Sequence, residues 1–368
     1  MFLKELTAKN FRNYLDLKLQ FSPSLNFITG NNGVGKTNIL EIISVLSGIK
    51  SFKNVSDLDI IKWGCDSYFC SALVCLSEDE NDECTNYQVG CTVDNGKIRK
   101  KIKIDSSEMK KASEYFGQVL TVVFLPSDIN IINGTPEIRR KFFDSIICKL
   151  DPHFLDTLND FKKVLSSRNK ILKDIKDKKI SDTAQLSIWD NMFADFSFVI
   201  TQKRKAFIEQ YNEVFVNSYE HISGKAEAPD ILYSPSIKIN EKSDILQQLN
   251  ERRFRDIALT ATSIGPQRDD FMFLRENINF VNYASQGQKR TASIALRIAE
   301  NELIEKQLNR KSILLIDDIF SELDDKRKQN MLSIFSKGNQ VIFTMVHEQN
   351  MDISSDIEIR RIALPLGD

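Results

Sequence analysis

The apolar positions of this chain change period repeatedly, and each change marks an element. Over residues 2–22 they alternate loosely with polar ones, at Leu3, Leu6, Leu15, Leu17, Leu19 and Phe21. That pattern predicts two strands joined near Asn10-Phe11-Arg12-Asn13-Tyr14. The short run Leu25-Asn26-Phe27-Ile28 predicts a buried strand, and Ile39-Leu40-Glu41-Ile42-Ile43 a helix after it. Residues 66–104 return to alternation and read as a β-meander, with Asp94-Asn95-Gly96 as a hairpin turn. Its last strand, Lys97 to Ile104, is strongly basic; it is either a charged edge that blocks pairing or a phosphate-facing ridge. Leu120 to Leu125 is a further buried strand, ended by Pro126-Ser127-Asp128, and a turn at Asn133-Gly134-Thr135-Pro136 opens a helix carrying Arg139, Arg140 and Lys141.

From about residue 150 to 222 the period becomes helical. Phe154, Leu158, Phe161, Leu165, Arg168, Leu172 and Ile175 form a heptad seam that only Arg168 breaks. A basic, breaker-containing segment from Lys176 to Asp182 separates it from a second seam through Trp189, Phe193, Phe196, Ile200, Lys203 and Phe207. Two long helices with a polar turn predict a helical hairpin, either packed as a plain lobe or projecting as a short coiled-coil arm. Residues 243–254 predict one more amphipathic helix.

Composition narrows the functional classes. The 368 residues hold 50 Lys and Arg against 51 Asp and Glu, so the net charge is −1 and any nucleic-acid site must be a local patch. Six cysteines without a CxxC pair read as reduced, mostly structural thiols, and three histidines show no metal-ligand spacing. The first residues carry charge too early for a signal peptide, and no apolar run approaches the roughly 18 residues of a membrane span. The expectation is a cytoplasmic protein with no membrane partner.

The chemistry concentrates in Gly30-Asn31-Asn32-Gly33-Val34-Gly35-Lys36-Thr37, set between predicted strand and predicted helix. That is the context of a phosphate-binding loop, in which glycines turn backbone N–H groups toward phosphate oxygens. Lys36 is expected to reach the β- and γ-phosphates of ATP and Thr37 to ligate Mg²⁺. Far along the chain, Ile313-Leu314-Leu315-Ile316-Asp317-Asp318 predicts a buried strand ending in two carboxylates. Such a strand is expected beside the loop strand, with Asp317 holding Mg²⁺ through water and Asp318 polarising the attacking water. Loop and acids then share one sheet, so the helical segment is an insertion into a single head. The expected division is residues 1–135 with 260–368 as the head, and 136–259 as the inserted lobe. Between them stands Ser285-Gln286-Gly287-Gln288 at a predicted helix N-terminus, a second anion site. With the first loop already holding its own nucleotide, this one is expected to grip the γ-phosphate held by another copy.

These pieces, in this order, resemble the ABC/SMC-type ATPase heads, and within them the RecF family of bacterial recombinational-repair ATPases. The resemblance rests on Asn10 to Tyr14, Gly30 to Thr37, Lys50-Ser51-Phe52, Phe124 to Asp128, Gly134 to Asp144 and Arg168-Asn169. It continues through Gly265 to Asp270, the Ser285 to Gln288 signature and Ile316 to Asp325. It implies an α/β fold, a P-loop ATPase head with a mixed sheet, an antiparallel β-subdomain and an inserted helical arm. It implies roles for Lys36, Asp317 and Asp318 in a weak ATPase, Ser285 and Gly287 acting across an ATP-dependent homodimer, and Asp324 in the loop coupling the two sites. Arg12 matches an arginine that contacts the nucleotide. It further implies DNA as a partner at single-strand gaps and stalled forks, with RecR and RecO, help in loading RecA, and a link to the SOS response. Lys97 to Lys103, Arg139 to Lys141 and the basic arm are the candidate DNA contacts, unranked. Two departures stand out: no glutamine occupies the ABC Q-loop position, Gln118 preceding the strand, and His347 falls two positions after the usual switch histidine. The competing reading is the soluble ATPase subunit of an ABC-type transporter, which the helical insertion disfavours; a P-loop metabolic kinase leaves the signature stretch unexplained.

Overall fold

The computed structural model describes residues 1–53, 55–77, 84–180, 184–319, 331, 338–346 and 358–365. β1 (Phe2–Phe11) and β2 (Tyr14–Gln20) form the expected first hairpin, and β3 (Leu25–Thr29) runs into α1 (Lys36–Gly48). The short α2 (Asp57–Ile60), capped by a Ser56–Asp59 box, precedes β4 (Ser67–Cys75), β5 (Thr85–Asp94), β6 (Lys97–Ile104) and β7 (Ser107–Glu108). Next come α3 (Ala112–Tyr115), β8 (Thr121–Phe124), α4 (Ile129–Asn133), α5 (Pro136–Leu150), α6 (Pro152–Lys176) and the 40-residue α7 (Ala184–Ser223). Then follow β9 (Asp230–Ser234), α8 (Lys242–Glu251), α9 (Arg253–Leu259), β10 (Asp270–Arg275), β11 (Ile278–Asn279), α10 (Phe280–Tyr283) and α11 (Gln286–Leu308). The last described strands are β12 (Ile313–Asp317), β13 (Val341–Met345) and β14 (Ile359–Ala363).

The chain divides into two compact units. One holds Met1–Asp128, His221–Gly224 and Ile294–Asp368; the other holds Ile129–Glu220 and Lys225–Ser293. The sequence reading drew the division at 136 and 259, and the residues from 260 to 293 group instead with the helical unit.

In the first unit a parallel sheet runs β14-β3-β13-β12-β8 and an antiparallel one runs β2-β1-β4-β5-β6-β7. Helix α1 is buried almost all round, from Ile39 to Ser47, because its residues join the cores of both sheets. The near-continuous apolar runs of β3, β12 and β13 are what a strand covered on both faces needs. One expectation needs correction: the acid strand does not lie beside the loop strand. β13 stands between them, with Thr344 opposite both Ile28 of β3 and Asp317 of β12. A second correction concerns the thiols. Cys75 and Cys84 are disulfide-bonded, because the β4–β5 ladder pairs Val74 with Thr85 and so sets the next two residues opposite each other. The β5–β6 turn is as expected, with Asn95 and Gly96 both at positive φ.

In the second unit α6 and α7 form the helical hairpin, Phe161 meeting Phe193. Residues 181–183 lie outside the described set. Heptad spacing holds on α7, where Leu186, Asp190, Phe193, Ser197, Ile200, Arg204 and Phe207 are buried; Phe193, Ile200 and Phe207 are as expected, and Trp189, Phe196 and Lys203 give way to their neighbours Asp190, Ser197 and Arg204. On α6 the buried residues are Phe154, Phe161, Val164, Arg168 and Leu172; all but Val164 lie on the expected seam, where Leu158, Leu165 and Ile175 are half-buried. Arg168 is therefore no break in the stripe but its centre, 0% exposed and paired with Asp190 at 2.7 Å and Asp256 at 3.0 Å. On α7 Arg204 is buried and Lys203 faces out. The small sheet β11-β10-β9 packs by aromatic contacts, Phe143 and Tyr211 against each other and Phe143 on Phe271.

Candidate nucleotide-binding site

Parallel register brings the carboxyl ends of β3 and β12 to one edge of the sheet, where ligands of open α/β sheets bind. At that edge the loop turns through Gly30, Gly33 and Gly35, all at positive φ. Gly35 is obligatory for two reasons. Its φ of 111° suits glycine alone, and a Cβ there would lie 2.6 Å from Asn13 Nδ2 and 2.7 Å from the Tyr14 hydroxyl. Asn31, Asn32 and Gly33 form the exposed crown, Val34 is half-buried, and Asn13 Nδ2 donates to the Val34 carbonyl at 3.1 Å. Lys36 is nearly buried, its ammonium donating to the carbonyls of Gly30 at 2.6 Å and Asn31 at 2.9 Å, so it spans the loop.

Thr37 and Asp317, 280 residues apart, meet: the threonine hydroxyl donates to Asp317 Oδ1 at 2.8 Å. Thr344 donates to the same oxygen at 2.7 Å, which fixes the carboxylate from the intervening strand. A hydroxyl and a carboxylate oxygen in contact at a phosphate loop are the hard oxygen donors Mg²⁺ takes. Next along, Asp318 sits at φ 47°, its N–H donating to the Thr344 carbonyl at 3.2 Å. Aspartate tolerates that left-handed turn better than a bulkier residue, and local strain of this kind gathers at functional sites.

Arg12 stands at the same end, but its guanidinium is held. It donates to both oxygens of Glu41, at 3.0 and 2.6 Å, and to the Asp59 carbonyl. Glu41 is fully buried in α1 and also accepts from Ser51 and Lys53. Burial pushes its carboxyl up, yet the hydrogen bonds from Arg12, Ser51 and Lys53 outweigh that and hold it below the ordinary range. Arg12, Asn13, Asn38 and Lys53 then line a cleft of about 690 Å³ whose outer wall is Trp63, 96% exposed.

The signature stretch forms a reciprocal cap. Ser285 Oγ accepts from the Gln288 N–H at 3.2 Å, and the Gln288 side chain accepts from the Ser285 N–H at 2.9 Å. Gln286 and Gly287 open the helix, with Thr291 donating back to the Gly287 carbonyl. Farther along α11, Arg297 is gripped by Asp128 at 2.7 and 3.0 Å and by Glu300 at 2.9 Å. Burial would push its guanidinium down, but those two carboxylates raise it and keep it charged. Asp128 thus holds the signature helix from just beyond the end of β8.

Several expected residues are placed elsewhere. Arg139 pairs with Asp270 at 2.7 Å and Arg140 donates to the Asp269 carbonyl, whereas Lys141 is exposed beside Glu137 one helical turn earlier. Within the basic strand Lys100 is tied to Asp57 and the Ile49 carbonyl, whereas Lys97 and Lys101 are exposed. Asp324 and His347 lie outside the described residues. Sequence reasoning missed Asn13, Tyr14, Glu41, Lys53 and Trp63. The tyrosine has a hydroxyl that is buried behind Gly35 without a partner among the described residues, and burial raises it to about 12. The signal available was a buried acid, Glu41, in an otherwise apolar helix face.

The RecF/RecN/SMC N-terminal domain family matches residues 2–360. The DNA replication and repair protein RecF of Lachnoclostridium phytofermentans is 37% identical over 98% of this chain and 97% of its own length. That of Leptospira interrogans serovar Lai is 35% identical over 94% of this chain and 91% of its own. A solved structure described as the recombination mediator protein RecF with ATP, in the RecFOR pathway, superposes with a TM-score of 0.87 at 32% identity, covering 95% of this chain and 93% of the other. With a glycine-rich loop, a paired Thr37 and Asp317 and this likeness along nearly its whole length, the chain belongs to the RecF family, with an SMC-type ATPase head fold.

Proposed function

We propose that the chain is an ATP-dependent DNA-binding protein of replication and recombinational repair, which dimerises head to head on ATP. The observation that carries the nucleotide half is the Thr37–Asp317 hydrogen bond, which assembles a cation-binding oxygen pair from opposite ends of the sequence. The DNA half rests on the RecF relatives, named as replication and repair proteins.

The Lys36 ammonium, held by loop carbonyls, is positioned to exchange them for phosphate oxygens. Mg²⁺, when bound by Thr37 and Asp317, supplies neutralisation of the phosphate charge. Asp318 orients the attacking water and accepts its proton. The cleft between Asn38 and Trp63 receives the nucleoside, with the indole as a stacking wall. Ser285 to Gln288 of a second copy closes on the γ-phosphate through backbone N–H groups and the helix terminus. Turnover is slow, because the assembled dimer is the working product. Action at single-strand gaps and stalled forks with RecR and RecO, help to RecA loading and a link to the SOS response follow from the family.

Ser285→Arg tests the closure. Light scattering with ATP and a gapped duplex is expected to show wild type as a dimer and the variant as a monomer that still binds ATP. An ATP-dependent dimer of the variant would overturn the trans contact.

A further inference from the structure

The second unit carries a groove that the nucleotide chemistry does not use. β9 is an outer strand of the sheet β11-β10-β9, and α7 lies against one face of that sheet through Phe215 on Phe273. Between the edge of β9 and the helix lies a cavity of about 500 Å³. Its floor is apolar, with Ile208 and Ile231 buried. Its rim is basic: Lys205 from the helix and Lys238 from the stretch after β9 are both exposed, and Glu209 is the only acid in the lining.

Hydrogen bonding shows which backbone groups face this groove. The Ile231 N–H donates to Asn212 Oδ1 of α7 at 2.6 Å, not to β10. Asn212 therefore stands where a neighbouring strand would offer a carbonyl. The pleat alternates, so the N–H and carbonyl of Tyr233 turn to the same edge. Leu232, on the opposite face of the strand, is 48% exposed. With the Ile231 N–H taken by Asn212, an added strand would find the Ile231 carbonyl and the Tyr233 N–H and carbonyl as ladder partners, apolar contact with Leu232, and ammonium groups beside it.

We propose that this groove receives an extended acidic segment of a partner protein, which joins β9 as a further strand. Charge selects the occupant: two lysines against one glutamate favour carboxylates, and the strand edge favours a polypeptide over nucleic acid, whose phosphates would leave the apolar floor uncovered. The proposal is independent of the nucleotide reading.

The test uses the full chain and fluorescein-labelled synthetic decapeptides that alternate Asp or Glu with Val, Leu, Ile or Phe, followed by anisotropy. Members of this set are expected to bind with Kd below about 1 mM. Lys205→Glu with Lys238→Glu is expected to weaken them by about tenfold or more while ATP affinity and helical circular dichroism stay unchanged. N-methylation of alternate peptide amides is expected to abolish binding in one of its two registers, and hydrogen exchange at residues 230–234 to slow on binding. The proposal is overturned if no acidic peptide binds, if lysine-substituted peptides bind equally well, or if the charge reversal or both N-methylation registers have no effect. Unchanged exchange at β9, or loss of duplex DNA binding without any peptide binding, overturns it as well.

Discussion

The two compact units use charge in opposite ways. In the first, polar side chains gather at one edge of an apolar parallel sheet, where Lys36 donates to the loop carbonyls of Gly30 and Asn31 and Thr37 donates to Asp317. In the second, arginines are sunk into the packing. Arg168 sits between Asp190 and Asp256, and Arg204 between Asp144 and Asp269, with Asp269 also accepting from Tyr233. A buried ion pair adds little net stability over an apolar isostere, but removing one partner strands the other. Groups at the sheet edge are therefore expected to decide binding, and groups inside the helical unit whether one packing is kept.

That contrast sets the expected effects. The largest is on stability: Arg168→Ala leaves two carboxylates without their buried partner and is expected to cost about 3–5 kcal/mol in urea unfolding. The nucleotide affinity of the folded fraction should be unchanged; a loss of affinity matching the loss of stability would erase the distinction. Lys36→Ala is expected to do the reverse, weakening ATP binding by about 100-fold or more, from the loss of charged hydrogen bonds of about 1.5–3 kcal/mol each. Its melting temperature without nucleotide should stay close to wild type.

Glu41 lies on the border, buried like the second group yet next to the site. Its folded pKa is lowered, so its stabilising contribution is present above its unfolded pKa and is lost as pH falls through the folded value. Glu41→Gln should therefore be less stable than wild type at pH 7, by about 1–3 kcal/mol, and the gap should close as the medium is acidified. A gap constant with pH would mean that the carboxylate charge is not what Arg12 and Lys53 recognise. The smallest effect is expected at the rim: Trp63→Ala should weaken ATP by about tenfold, in line with about 1–3 kcal/mol per stacked base, and leave unfolding untouched.

What could be read from sequence was what is local. The loop needs glycines, lysine and threonine within eight positions, and the acids end a visibly apolar run, so both were legible. The order of the strands was not, because nothing in the apolar run of β13 says that it enters between β3 and β12. Arg168 was misjudged because polarity alone marks it as a break in the seam, whereas the acids that let it be buried, Asp190 and Asp256, lie 22 and 88 residues away. The Asp128–Arg297 grip was hidden for another reason: its partners are 169 residues apart, and neither pattern nor spacing relates them. The Cys75–Cys84 bond depended on strand register, which sequence leaves open wherever a loop length is unknown.

β3 has β13 on one side and β14 on the other, both from residues beyond 340. The strand that carries the phosphate loop thus draws both neighbours from strands far along the sequence. Such long-range pairing is slow and exposes sticky edges while it waits. Alignment of the loop with Asp317 is therefore expected to wait on the pairing of β13 and β14, the strands that close the sheet around β3.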